Sequence, residues 1–158
     1  MSALPVENVE DYPRPPALET VAEVLRVEFG GVTIAETSRA VRILETYHAP
    51  TYYIPPQDVL MAALVPSTRE TQCEWKGRAI YFDIVLDTRR SRNAAWAYPA
   101  PVARYAPLKD YLSFYAGSVD AAHVGNLKVE AQPGDFYGGW VTSNLTGRIK
   151  GAAGTMHW

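Results

Sequence analysis

The sequence of 158 residues has the length of one domain, and a chain this long can bury roughly two thirds of its unfolded surface. Its composition is 47% hydrophobic with 10 tyrosines and 4 tryptophans, which excludes wholesale disorder and favours a sheet-rich protein. Because 15 basic and 17 acidic residues give a net charge of -2, no strong field attracts nucleic acid or anionic lipid, and we expect neither as a partner.

Cellular location is indicated by what the sequence lacks. The single cysteine cannot form an internal disulfide. No run approaches the roughly 20 apolar residues needed to cross a bilayer, and the first residues do not pair a positive start with a long apolar segment. We therefore expect a cytoplasmic protein with no membrane partner.

Residues 1–20 are rich in proline. Pro5, Pro13, Pro15 and Pro16 remove amide donors and favour extended polyproline conformations. The pattern predicts a Pro-rich arm, and an arm laid across the surface fits as well as a loose tail.

Residues 21–119 are predicted to form a β core. Runs of alternating polarity on both sides of Gly30-Gly31 indicate a hairpin. Strands are predicted at 23–29, 32–37, 41–43 and 51–54, although a short helix fits 41–43 almost as well. Asp58 precedes an apolar run, so we expect it to cap a helix of about two turns.

The centre of the predicted core is a hairpin over Thr71–Asp87. Its turn is placed at Lys76-Gly77, because glycine accepts positive φ and the flanking residues are aromatic or β-branched. Further strands are predicted at 94–98 and 111–116, with a single turn at 107–110. The basic cluster of Arg89, Arg90 and Arg92 is expected in a solvated loop.

Residues 120–158 form a predicted Gly-rich extension. Glycines interrupt the pattern too often for a second core, but Phe136, Tyr137 and Trp140 are costly to leave in water. We therefore expect this extension to wrap around the core and pack on it.

Two kinds of chemistry are open from the residue types. Cys73 is a soft nucleophile beside Lys76, which favours the thiolate, and Glu45 or His48 are the expected proton carriers; burial as an apolar filler fits the cysteine as well. The three histidines have no spacing typical of a metal site, and no glycine pattern resembles a phosphate loop. We expect no metal and no cofactor.

Aromatic residues on the predicted strands indicate a pocket. Such rings can line a site for a flat or cationic ligand, although core packing explains them too. The favoured hypothesis is a module that binds a small molecule or peptide; the alternatives are a small enzyme with a reactive Cys73 and a structural homodimer. The candidate ligand-binding residues are Glu45, Tyr53, Asp58, Cys73, Lys76, Trp96 and Tyr98.

The order of several motifs resembles the family called domain of unknown function family 427, which also carries a nucleotidyltransferase-like label. The motifs are Glu45-Thr46, Pro50, Tyr52-Tyr53, Pro55, Asp58-Val59, Cys73, Trp75-Lys76-Gly77, Tyr81, Ala95-Trp96, Tyr98, Pro101 and Phe114-Tyr115. The resemblance covers about Val24–Val119. It implies a small, mainly β domain of antiparallel strands, tent-like or sandwich-like, with one or two short helices. Related tent-like domains hold zinc with two cysteine pairs, whereas this chain has Cys73 alone.

Overall fold

The structure is a computed structural model, and it describes residues 4–134, 136–151 and 154–155. Its strands are β1 (Glu7–Asn8), β2 (Ala17–Thr20), β3 (Leu25–Phe29), β4 (Val32–Thr37), β5 (Val41–Leu44), β6 (Thr51–Tyr53), β7 (Leu64–Cys73), β8 (Gly77–Leu86), β9 (Arg89–Ala97), β10 (Ser113–Phe114), β11 (Ala121–Val124), β12 (Leu127–Lys128), β13 (Glu130–Ala131), β14 (Trp140–Val141) and β15 (Leu145–Thr146). Helical structure in these residues is limited to short 3-10 segments at Val9–Asp11, Pro56–Asp58, Met61–Ala63, Ala103–Leu108 and Ala116–Ser118. None of them is long or apolar enough to cross a membrane.

The described strands form two four-stranded sheets, one three-stranded sheet and two pairs, and the sheet that contains the β7–β8 hairpin is called the central sheet. The central sheet has the order β10-β9-β8-β7, the second has the order β12-β11-β3-β4, and the third has the order β2-β5-β6. β13 and β14 form a further antiparallel pair, and β1 and β15 pair in parallel. The prediction of a mainly β fold with antiparallel strands is confirmed.

The central sheet has a hydrophobic core on each face. Successive side chains on a strand point to opposite sides, so one strand can contribute to both cores. In β9, Ala95 and Ala97 face the main core, whereas Trp96 faces a second, aromatic core. In β8, Ile84 packs in the main core and Tyr81 packs in the aromatic core. The sheet therefore separates the larger main core from a smaller core rich in tyrosine and tryptophan.

The predicted central hairpin is present and extends further than expected. β7 and β8 pair from Leu64 opposite Ile84 to Cys73 opposite Gly77, so residues 74–76 form the connection. Gly77 has φ +112°, a backbone conformation that residues with a side chain rarely adopt. The hairpin of β3 and β4 also confirms the strands predicted around Gly30-Gly31.

The two-turn helix expected after Asp58 is wrong. The chain passes through the single turns Pro56–Asp58 and Met61–Ala63 and enters β7 at Leu64. The Leu60 amide donates to the Ile34 carbonyl at 2.7 Å, so this segment pairs with β4. Tertiary pairing has overridden a local preference for helix.

The basic cluster is not a loop, which corrects a second expectation. Arg89, Arg90 and Arg92 all lie in β9. The Arg89 guanidinium pairs with Asp120 at 2.8 Å, and that of Arg90 pairs with Asp83 at 2.9 Å. These partners are distant in sequence or on the neighbouring strand, so the local charge pattern did not reveal them.

Both terminal regions supply strands to the sheets. β2 pairs with β5, and β11 pairs with β3. The Trp140 side chain in the carboxyl-terminal region is fully buried, and its indole Nε1–H donates to the Phe114 carbonyl at 2.8 Å. Segments outside 21–119 thus contribute directly to the packing of the core.

Candidate functional site

An aromatic cleft lies where the end of the β7–β8 hairpin, β9 and the carboxyl-terminal region meet. Its volume is about 270 Å³. The aromatic side chains that line it are Trp75, Tyr81, Trp96, Tyr98, Tyr115, Phe136 and Tyr137. Its polar lining residues are Glu45, His48, Thr71, Gln72, Cys73, Glu74 and Lys150. Concave sites with mostly apolar walls and a few polar groups are typical of ligand pockets.

Strand register places the central rings of the cleft. Trp96 of β9 is paired directly with Tyr81 of β8, so the two side chains share one face. The Tyr115 ring lies 4.5 Å from the Trp96 ring, centroid to centroid. Behind them the Tyr53 side chain is 1% exposed, and burial raises the pKa values of Tyr53 and Tyr98 well above the ordinary tyrosine value. Both tyrosines therefore stay neutral.

A glycine pair carries the carboxyl-terminal region across the cleft. A Cβ atom at Gly138 would overlap the Trp96 ring, and one at Gly139 would overlap the Gln132 side chain. The Tyr115 hydroxyl donates to the Phe136 carbonyl at 3.1 Å, which ties the crossing segment to the sheet. Only a residue without a side chain allows this close approach.

His48 stands at the polar side of the cleft, and Gln132 orients it. The Gln132 Oε1 atom accepts from the Ala49 amide at 3.2 Å, so the other end of this side chain is its NH₂ group. That NH₂ group donates to the Lys150 carbonyl at 2.9 Å and to His48 Nδ1 at 3.1 Å. His48 Nδ1 is therefore the acceptor, and the ring proton is on Nε2.

The Nε2 atom of His48 lies near Glu45. Its distance to Glu45 Oε2 is 3.8 Å, which is too long for a hydrogen bond. Burial, together with the charges of Lys150, Arg14 and Lys76, lowers the pKa of His48 to about 4. At neutral pH this contact therefore joins a neutral imidazole to the carboxylate, and His48 can donate a hydrogen bond.

The family of the chain is shown by a comparison with family models. The model described as domain of unknown function (DUF427) matches residues 17–125, well over half of the chain. The chain belongs to this family. The DUF427 match covers β2 to β11 and includes the cleft residues from Glu45 to Tyr115, whereas Phe136, Tyr137 and Lys150 lie beyond it. No curated protein matches the sequence.

The DUF427 fold brings four of the seven candidate residues to the cleft. Glu45, Cys73, Trp96 and Tyr98 line it, and the Cys73 side chain is partly exposed there. Tyr53 packs behind the rings. Lys76 is only 8% exposed; its Nζ lies 5.9 Å from the centroid of the Tyr98 ring and does not line the cleft.

Asp58 lies away from the cleft. It accepts a hydrogen bond from the Thr37 hydroxyl at 2.6 Å and from Arg39 Nη2 at 2.8 Å. These hydrogen bonds, first that of Arg39, hold the pKa of Asp58 below its usual range. The carboxylate fastens the turn after β6 to the end of β4.

Several cleft residues were not among the sequence candidates. Lys150 and Tyr137 come from the extension, as does Gln132, which does not line the cleft but hydrogen-bonds to His48. The Phe136-Tyr137-Gly138-Gly139-Trp140 stretch was the available signal. His48 was considered only as a proton carrier. Their convergence depends on the path of the extension, which no local pattern specifies.

Two other features of the described residues do not form a comparable site. A groove of about 690 Å³ beside β3 and β4 is lined by apolar Leu4, Val6 and Val24. Its charged residues are Glu23, Arg26 and Glu36, and the last two pair with each other at 3.4 Å. Among the described residues, no group of three His, Cys, Asp or Glu side chains is arranged to hold a metal ion.

Proposed function

We propose that the aromatic cleft of this DUF427 protein binds a planar group, carried by a small molecule or a peptide segment. The observation that carries the proposal is the gathering of seven aromatic side chains around one open cavity whose walls also include polar groups. Rings such as Trp96 and Tyr115 offer faces and edges for stacking. The His48 Nε2–H donor and the Glu45 carboxylate provide orientation for a polar substituent.

The hydrogen bonds of His48 argue against this residue as the base of a catalytic Cys73. An adjacent base that accepts the proton is one way to activate a nucleophilic thiol. His48 Nδ1 already accepts from Gln132, and Nε2 carries the ring proton, so His48 acts as a donor here. If Cys73 were a nucleophile, an alkylating reagent would modify it rapidly in the native protein with a rate that plateaus at neutral pH.

Benzamide is a suitable uncharged planar probe, and the indole N–H resonances in a proton–nitrogen NMR spectrum report its position. Trp75 and Trp96 line the cleft, whereas Trp140 is buried in the main core. We expect the Trp75 and Trp96 signals to shift on titration and the Trp140 signal to stay. Absence of any shift at Trp75 and Trp96 would contradict the proposal.

A variant at an exposed ring separates binding from folding. Phe136 is 57% exposed and lines the cleft, so Phe136→Ala should weaken benzamide binding several-fold without unfolding the protein. Val102→Ala is the matched control, because Val102 is 45% exposed and lies outside the cleft. Equal binding by both variants would count against the cleft.

A structural homodimer stays a prediction. β7 is ten residues long and forms one edge of the central sheet, and such an edge can pair with a second copy. Multi-angle light scattering would show a dimer mass if this edge is used, and a monomer mass would remove the alternative.

A further inference from the structure

A second cavity adjoins the aromatic cleft. Its volume is about 290 Å³, and it shares Tyr115, Tyr137 and Gly138 with the cleft as common walls. Arg69 and Arg92 line this second cavity and are both exposed. Glycine-rich backbone of the extension forms the opposite side. A ligand in the cleft would thus lie next to two guanidinium groups.

Unlike most arginines of this protein, these two have no carboxylate partner among the described residues. Eight of the eleven arginines lie within 4.0 Å of a described carboxylate: Arg14, Arg26, Arg39, Arg42, Arg78, Arg89, Arg90 and Arg148. In the described part of the chain Arg69, Arg92 and Arg104 have no such partner. Two of these three line one small cavity, so their charges are available to an anion.

Two β-bulges place these side chains. Three residues of β7, 67–69, lie opposite Tyr81 alone, and three residues of β9, 92–94, lie opposite Asp83 alone. The Ser67 hydroxyl donates to Asn93 Oδ1 at 2.5 Å and ties one bulge to the other. Asn93 has φ +51°, in the left-handed region. Bulges redirect side chains and are common beside binding sites.

The carboxylate of Asp83, which lies opposite the bulge of β9, is already engaged. Asp83 accepts from the Asn93 amide at 2.8 Å and from Arg90 Nε at 3.0 Å. Its side chain is nearly buried, so it lowers the positive potential at Arg92 without closing the cavity. Arg69 lies over the Tyr81 ring, 4.7 Å from its centroid, which holds its guanidinium next to the aromatic cleft.

We infer that the ligand of the aromatic cleft carries an acidic group, a carboxylate or a phosphate, that binds to Arg69 and Arg92 in the adjoining cavity. This inference rests on the proposed function of the cleft. The planar fork of arginine matches carboxylate and phosphate oxygens, and two such groups give charge-assisted hydrogen bonds with defined geometry.

The test compares three probes that share one ring: benzamide, benzoate and phenyl phosphate. NMR titration gives the affinity of each, and we expect the two anions to bind about tenfold more tightly than benzamide. The Arg69→Gln, Arg92→Gln double variant should remove that advantage, so that the three probes bind it with similar affinities. Whichever anion binds more tightly identifies the acidic group.

Arg104→Gln is the matched control, because Arg104 is exposed and unpaired in the described residues but lines neither cavity. It should leave all three affinities unchanged. An Arg69→Lys, Arg92→Lys variant keeps the charge and should retain part of the advantage, which distinguishes lost charge from a disturbed fold.

The outcomes separate this inference from the proposed function. Equal affinities for the three probes, with Trp75 and Trp96 still shifting, would overturn the acidic group and leave the cleft intact. The inference would also be overturned if the double variant bound the two anions as tightly as the unsubstituted protein does. If acetate or inorganic phosphate binds as tightly as the aromatic anions and causes no indole shifts, the arginines act apart from the cleft and this inference is overturned. The proposed function is contradicted separately, if benzamide itself shifts neither Trp75 nor Trp96.

Discussion

The buried amide of Gln132 controls the chemistry of His48, 84 residues away. Gln132 is 2% exposed, and its three hydrogen bonds go to Ala49, Lys150 and His48. Because two of these partners are backbone groups of opposite polarity, the amide cannot turn over without placing like groups together. The side chain thus acts as a fixed donor to the imidazole.

We predict that the titration of His48 makes the stability of the protein depend on pH. Its pKa in the folded protein is lowered to about 4, from about 6.5 in an unfolded chain, chiefly by burial. The unfolded state therefore binds more protons between these two values, and the free energy of unfolding should fall as pH drops from about 6.5 to about 4. Proton NMR of the imidazole and urea unfolding at several pH values measure the two effects.

His48→Asn provides the control, since it removes the titrating group and should flatten the dependence of stability on pH in this window. Gln132→Glu should raise the pKa of His48. A carboxylate at this position can accept a hydrogen bond from a protonated Nδ1 but cannot donate one to an unprotonated Nδ1, so it favours the charged imidazole. A His48 that titrates near 6.5 in the unmodified protein would show that the ring is not held neutral.

At the scale of the element, the bulge in β9 depends on Asp83. This nearly buried carboxylate accepts from the Asn93 amide and from Arg90, and these hydrogen bonds, first that of the amide, lower its pKa. We predict that Asp83→Ala lowers the free energy of unfolding by about 1–3 kcal/mol, because a backbone donor loses its partner. Urea denaturation measures the change.

Glu70→Ala serves as the comparison on the neighbouring strand. Glu70 also pairs with an arginine, Arg78, at 2.9 Å, but both side chains are more than half exposed. Exposed pairs of this kind contribute about 0–1 kcal/mol. A similar loss in both variants would mean that the bulge adds nothing beyond an ordinary surface pair.

Strands were predicted better than the segments that join them. The alternation around Gly30-Gly31 and the turn before Gly77 are local signals, and both hairpins are present. The expected helix after Asp58 failed because that carboxylate bonds to Thr37 and Arg39, and the following backbone pairs with β4. These partners are about 20 residues away, beyond the reach of a local pattern.

At the scale of the whole molecule, the extension serves both the core and the cleft. Trp140 is fully buried against Tyr52 and Phe114, whereas Phe136 is largely exposed at the cleft. We predict that Trp140→Ala lowers the free energy of unfolding by about 3–5 kcal/mol, since it leaves a cavity and an unpaired carbonyl. Thermal or urea unfolding tests this.

Phe136→Ala should change stability by less than about 0.5 kcal/mol, as surface substitutions usually do. Each variant removes one aromatic ring from the same segment, four residues apart. The difference between their free energies of unfolding therefore reports the effect of burying the ring. If Trp140→Ala were as stable as Phe136→Ala, the extension would contribute nothing to the core.

The sequence by itself determined the class of the fold and its main hairpins, because period-two alternation and glycine turns act between neighbouring residues. The order of its motifs indicated the family, and residue chemistry alone selected four residues that line the cleft. Only the tertiary structure decided that Gln132 contacts His48, that Asp58 lies away from the cleft, and that Arg69 and Arg92 line one cavity. Such contacts depend on sheet order, bulges and the path of the extension, because they join residues that no local pattern relates.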